Sequence, residues 1–172
     1  MLLGLAAGLA LVLTAWSLLR HHEPGRFAAR GGAESGVGAE VLCFGATSST
    51  DPTVLSADGR CAAGSRIKLK AASFDARFQE VAAVAVGPGR RFEKSFRAAL
   101  PSPAPVTLKD YLTLGEGERV EFVFVFSEKP LEEALLRRAF DRTTAGDGKL
   151  ELGDGGGAIA ERTIVIEAGG AR

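Results

Sequence analysis

Residues 118–136 read ERVEFVFVFSEKPLEEALL, and this stretch decides the fold. In an extended chain, successive side chains alternate between faces. Val120, Phe122, Phe124 and Phe126 therefore share one face, and Arg119, Glu121, Val123 and Val125 the other. Beyond Glu121 both faces are apolar, the pattern of a strand near the middle of a sheet and covered on both sides. Gly115-Glu116-Gly117 before it reads as a turn. After it, Ser127 or Lys129 is expected to open a helix over Leu131 to Phe140. Pro130 suits its first turn, where the dipole favours Glu132 and Glu133, and Leu131, Leu135 and Leu136 make its apolar stripe.

Upstream, Phe78 to Val86 and Arg91 to Phe96 flank Gly87-Pro88-Gly89 and are expected to pair as a hairpin. Ser65 to Ala71 alternates Ile67 and Leu69 with Arg66, Lys68 and Lys70, a half-buried strand. Glu40 to Phe44 is a short strand, and Ala46 to Gly59 reads as loop. Leu100 to Pro105 is an extended connection, because its prolines cannot sit inside a sheet. Val106 to Leu114 offers Val106, Leu108, Leu112 and Leu114 to one face. Downstream, Ala145 to Gly157 reads as loop with a short strand at Lys149 to Leu152, and Arg162 to Glu167 is the last strand. About six or seven short strands with one late helix and no βαβ alternation predict a mainly β protein, a β-sandwich. The expected sandwich domain covers residues 39–168, and residues 169–172 form a tail.

The front of the chain is of another kind. Leu2 to Leu19 carries no charge, and only Thr14 and Ser17 are polar. As a helix it would reach roughly 27 Å, close to the ~30 Å of a bilayer's hydrocarbon core. Trp16 fits the interfacial belt. The segment lacks a basic start and a nearby A-x-A site, and its apolar run exceeds a usual signal-peptide core. Residues 1–20 are therefore expected to be a single transmembrane helix, with residues 2–19 in the lipid bilayer and residues 21–38 as a flexible juxtamembrane linker. Arg20, Arg26 and Arg30 follow the helix, which by the positive-inside rule would put the C-terminal part in the cytoplasm. A true start upstream of Met1 would supply a basic cytoplasmic segment and reverse that reading.

The two cysteines, Cys43 and Cys61, both fall within the β-domain. Cys43 lies in the first strand, and Cys61 follows a turn at Asp58-Gly59, just before the Ser65 strand. If these strands are neighbours, the Cα atoms come within the ~4.4–6.8 Å that a disulfide needs. Two separate buried thiols are the alternative. The pairing is the expectation taken here, and with it an extracytoplasmic domain, since such bonds persist in oxidising compartments.

Composition narrows the chemistry. Lys and Arg number 21 and Asp and Glu 21, so no basic excess points to nucleic acid. Both histidines, His21 and His22, lie beside the expected membrane helix, which removes Ser-His and Cys-His catalysis from the domain. No ligand partners stand at metal spacing around them. Asp110, Glu116, Glu118 and Glu121 could in principle pair for acid–base work, but on a strand and turn they read as a solvated edge. Gly146-Asp147-Gly148 and Gly153-Asp154-Gly155 resemble calcium loops in composition. Counted from Asp141, however, Thr143, Ala145 and Leu152 stand where oxygen ligands are required. Gly155 to Gly157 lack the Lys-Ser/Thr ending of a phosphate loop. No catalytic residue, cofactor or metal is expected.

The order of a first cysteine-bearing strand, DGRCAAGSRIKLKA, EVAAVAVGPGRRF and LTLGEGERVEFVFVFSEKPLEEALL resembles a domain family of unknown function in bacteria, notably myxobacteria. Gly64-Ser65-Arg66-Ile67, Gly117-Glu118-Arg119, Phe126-Ser127 and Pro130-Leu131 carry the resemblance, which covers Glu40 to Glu167. Such domains often follow a single membrane helix in anti-sigma-like membrane proteins, or are attached to kinase or peptidase-like modules. The resemblance implies an immunoglobulin-like β-sandwich outside the cytoplasm and no catalytic residues. The cytoplasmic zinc-binding module that grips a sigma factor has no counterpart here. The function expected is a non-enzymatic, membrane-anchored domain that senses or binds an unidentified protein partner, in the bacterial inner membrane with its globular part in the periplasm. The alternative is a structural or assembly subunit of a cell-envelope complex, with Gly4, Ala7, Gly8 and Ala10 allowing close helix contact.

Overall fold

The computed structural model describes residues 36–45, 51–87, 91–109, 112–143, 150, 152 and 159–169. The chain is mainly β, with two sheets facing each other across a core. The first sheet holds β1 (Val37–Phe44), β2 (Thr53–Leu55), β4 (Arg66–Ser73), β7 (Val106–Thr107) and β8 (Leu112–Thr113). Its order is β2-β1-β4, with β7 and β8 both on the far edge of β4. The second holds β3 (Gly59–Ala62), β5 (Glu80–Gly87), β6 (Arg91–Ala99), β9 (Arg119–Ser127) and β10 (Ile159–Gly169), in the order β3-β10-β9-β5-β6. All pairings are antiparallel except that of β3 with β10.

β9 lies between β10 and β5, as its two apolar faces require. Val120, Phe122, Phe124 and Phe126 enter the core between the sheets, against Val41, Leu69, Val81 and Ile164. Val123 and Val125 point the other way, into a second cluster beneath the helix α1 (Glu133–Thr143). Leu136, Ala139 and Phe140, at helical spacing, seat that helix on Ala82, Val84 and Val86 of β5. The result is three layers: sheet, sheet, helix. Arg97 of β6 donates to the carbonyl of Leu131 at 2.9 Å and ties the helix approach to the sheet edge. The Phe92 ring meets Phe140 edge-on, with centroids 6.1 Å apart, and Arg137 stacks 4.5 Å above Phe92.

Several elements depart from the sequence reading. The helix starts at Glu133, not Leu131, because the Glu132 carbonyl accepts the first turn's bonds from Leu135 and Leu136. Pro130 is thus outside the first turn. Leu131 is buried ahead of the helix, and the stripe moves to Leu136, Ala139 and Phe140. The 106–114 stretch is two short strands rather than one. Residues 107 to 113 span six steps opposite the four steps from 70 to 66 on β4, so the excess must leave the ladder. β2 and β3 form in chain read as loop or turn. Leu150 and Leu152 are buried against the helix side without forming a strand. β1 begins at Val37, two residues before the expected domain boundary, and β10 includes Gly169. The expected hairpin is present as β5 and β6, with a bulge at Ala85/Val86.

Candidate functional site

The two outer faces of the sandwich differ. The outer face of the β5–β9 sheet is covered by α1, whereas the outward positions of β1 and β4 are buried at the Gly38–Ala72 end and open toward Phe44 and Arg66. On that outward face the in-register pairs are Glu40 with Lys70, Leu42 with Lys68, and Phe44 with Arg66, and Val54 of β2 lies opposite Leu42. The alternate residues, Val41, Cys43, Ile67 and Leu69, fill the core and fix which side is out. Arg66 and Lys68 are exposed, Val54 is 52% exposed, and Leu42 and Phe44 are half-buried. The Lys68 ammonium sits 5.8 Å from the Phe44 ring centroid. Lys70 reaches Glu40 at 3.6 Å, and this pair lies toward the buried Gly38–Ala72 end of the face. A row of three cations, one of them paired with a carboxylate, beside apolar side chains can hold an anionic surface by charge and apolar contact together.

Alternation in the sequence marks Arg66, Lys68 and Lys70 as outward. It misses Val54, Leu42 and Phe44 as their neighbours, because that adjacency depends on cross-strand register. The Val54 signal is a lone Val-Leu pair between Pro52 and Ser56, too short to stand out as a strand.

Cys43 on β1 and Cys61 on β3 are bonded, with Cα atoms 6.0 Å apart and a sequence separation of 18. The bond runs between the sheets, since β3 joins the edge of the β10 sheet. The strands expected to be neighbours, that of Cys43 and the Ser65 strand, do pair, as β1 and β4, but Cys61 does not run on alongside β1. Reversal of the chain at 62–65 instead places β3 opposite β4, and the bond staples the layers.

Among the described residues, the candidate carboxylates occupy different places in the fold. Glu118 accepts a hydrogen bond from the Gly115 amide and closes the turn that launches β9. Glu121 lies within β9, on the face of Val123 and Val125, and Glu116 is exposed in the turn. Asp110 lies outside the described residues, as do His21, His22, residues 2–19 and the Gly-Asp loops at 146–148 and 153–157. Among the described residues no group of three His, Cys, Asp or Glu could hold a metal ion. Nor does any described helix have the length and apolarity to cross a membrane.

A shallow depression of about 250 Å³ lies at the β3 edge, lined by Asp58, Arg60, Arg119, Val165 and Glu167. Asp58 Oδ1 accepts from the Val165 amide at 2.8 Å, and Glu167 meets Arg60 at 3.6 Å. Both acids thus serve the pairing of β3 with β10. Comparison with protein-family models, curated proteins and solved structures finds no match for this chain.

Proposed function

We propose that this chain is a membrane-anchored, extracytoplasmic binding domain of a bacterial regulatory system, acting by contact with a partner protein rather than by turnover. The bond between Cys43 and Cys61 carries this reading, because a disulfide endures in an oxidising compartment such as the periplasm. The apolar run of residues 2–19 supplies the inner-membrane anchor, and the resemblance to domains that follow one membrane helix supports the arrangement. The finer fold is immunoglobulin-like. The order β10-β9-β5-β6 follows the G-F-C-C′ sheet of that fold, and β4 takes the place of strand B. The disulfide departs from the usual B–F pair by joining β1 to β3.

Thiol labelling of the denatured protein, purified from its native envelope, tests the placement. The expected result is labelling of both cysteines only after reduction, with the domain digested by protease added to spheroplasts. Two free thiols without reductant, or protection in spheroplasts, would overturn it. A stable stoichiometric complex co-purifying in detergent would favour the assembly-subunit reading instead.

A further inference from the structure

We propose that the outward face of β1, β2 and β4 lies against the membrane and binds anionic phospholipid headgroups. This rests on the reading of residues 2–19 as a bilayer anchor. Arg66 and Lys68 project from alternate positions of β4 and stand exposed, with Lys70 next in the row. Glu40 is the one carboxylate among the paired positions, and it is held by Lys70, so the row keeps a positive excess. Basic residues held near an anionic leaflet are attracted to it, and the attraction falls off within a Debye length.

The neighbours of these cations are not the charged residues typical of a merely solvated sheet. Leu42 and Phe44 on β1 and Val54 on β2 lie beside them, so the face presents a row of cationic heads flanked by an apolar strip. Side chains of that mixed kind suit the headgroup region, where charge meets phosphate and apolar groups reach the acyl boundary. The other broad face of the sandwich is closed by α1, whose exposed surface sets Arg137, Arg138 and Arg142 among Glu133 and Asp141, with the two signs alternating rather than in a row of one sign.

The tether makes a weak surface sufficient. The chain between residues 20 and 36 reaches at most roughly 60 Å, and the eight-residue strand β1 is roughly 27 Å long. The face can therefore lie flat on the bilayer from which the chain emerges. A tether of this length holds it at an effective concentration on the order of millimolar, so Arg66, Lys68 and a few apolar contacts are enough. Docking in this way turns α1 and the β5–β6 hairpin away from the bilayer, toward a partner.

The full chain, placed in nanodiscs of phosphatidylcholine alone or with about one-third phosphatidylglycerol, is treated with a water-soluble lysine acylating reagent and read by mass spectrometry. Lys94 and Lys129, on the β6 and α1 side, are internal references. The expected result is an about threefold or greater fall in Lys68 labelling in the anionic discs, reversed in about 0.5 M salt, with the references unchanged. The variant Arg66→Gln with Val54→Ser alters two exposed positions and is expected to restore Lys68 labelling. Equal labelling in both lipids would overturn the proposal. So would equal protection in detergent micelles, which would mean that protein covers the face. A chain that stays with no bilayer would refute the anchor alone. Anionic vesicles added to that free chain then decide the face: salt-sensitive protection of Lys68 supports its lipid preference, and none overturns it.

Discussion

At the scale of single residues, β9 is where the chain is least tolerant. Phe124 is fully buried, between Phe122 and Phe126 on the core face. Removing its ring leaves a cavity that close-packed neighbours cannot fill, so Phe124→Ala should cost on the order of 3–5 kcal/mol in chemical denaturation. Gly117 illustrates a backbone constraint. Its φ is +66°, and a Cβ there would meet nothing within 4 Å. Gly117→Ala should therefore destabilise through conformation alone, by about 1 kcal/mol, without changing the fold. Asp75 is a test of charge. Hydrogen bonds from the Arg77 side chain, then from its backbone amide, hold the Asp75 carboxyl below the usual carboxylate range. A depressed folded value contributes stability above the unfolded carboxyl pKa of about 3.9, and that contribution is lost as pH falls through the lower folded value. The stability difference between parent and Asp75→Asn should accordingly narrow below about pH 4. A difference that stays constant down to the acid transition would contradict this.

Among the elements, α1 depends most on its neighbours. Its eleven residues would be marginal as a helix alone in water, so packing must hold it. Phe140 is its largest buried side chain and touches Phe92 edge-on. Phe140→Ala should cost roughly 3–5 kcal/mol and release the helix from β5. The helical part of the circular dichroism should then be lost at a lower temperature than the β signal. A single coincident transition at the parent's temperature would show that Phe140 does not hold the helix. At the other end, Thr143 Oγ donates to the Ala139 carbonyl at 2.8 Å and satisfies a last-turn acceptor.

For the whole molecule, the disulfide is the one side-chain crosslink between the sheets. It closes a loop with a separation of 18 residues, worth roughly 3 kcal/mol in the chain-entropy model. Cys43→Ala with Cys61→Ala should lower the denaturation midpoint by a corresponding amount, and reductant should have no further effect on the variant. If parent and variant unfold together, the link contributes nothing to the folded balance. Buried hydrophobic contacts between the sheets would then hold the layers unaided.

The β9 strand, the β5–β6 hairpin and the half-buried β4 were legible in the sequence, because alternation of apolar side chains is a local property of an extended chain. The division of β9 into a core face of phenylalanines and a helix-facing pair of valines follows from that same two-residue period. Residues 106–114 were not legible in this way. Their apolar spacing allowed one strand, but the fixed register of β4 admits them only at two short segments. Helix α1 began late because its start is set where the Glu132 carbonyl finds its donors, not by residue preference. The candidate face lies furthest from what sequence carries. Arg66 and Lys68 announced themselves as outward, but their apolar neighbours Phe44, Leu42 and Val54 come from two other strands. Only hydrogen-bonded register, set by packing of the alternate side chains into a shared core, brings residues distant along the chain onto one surface.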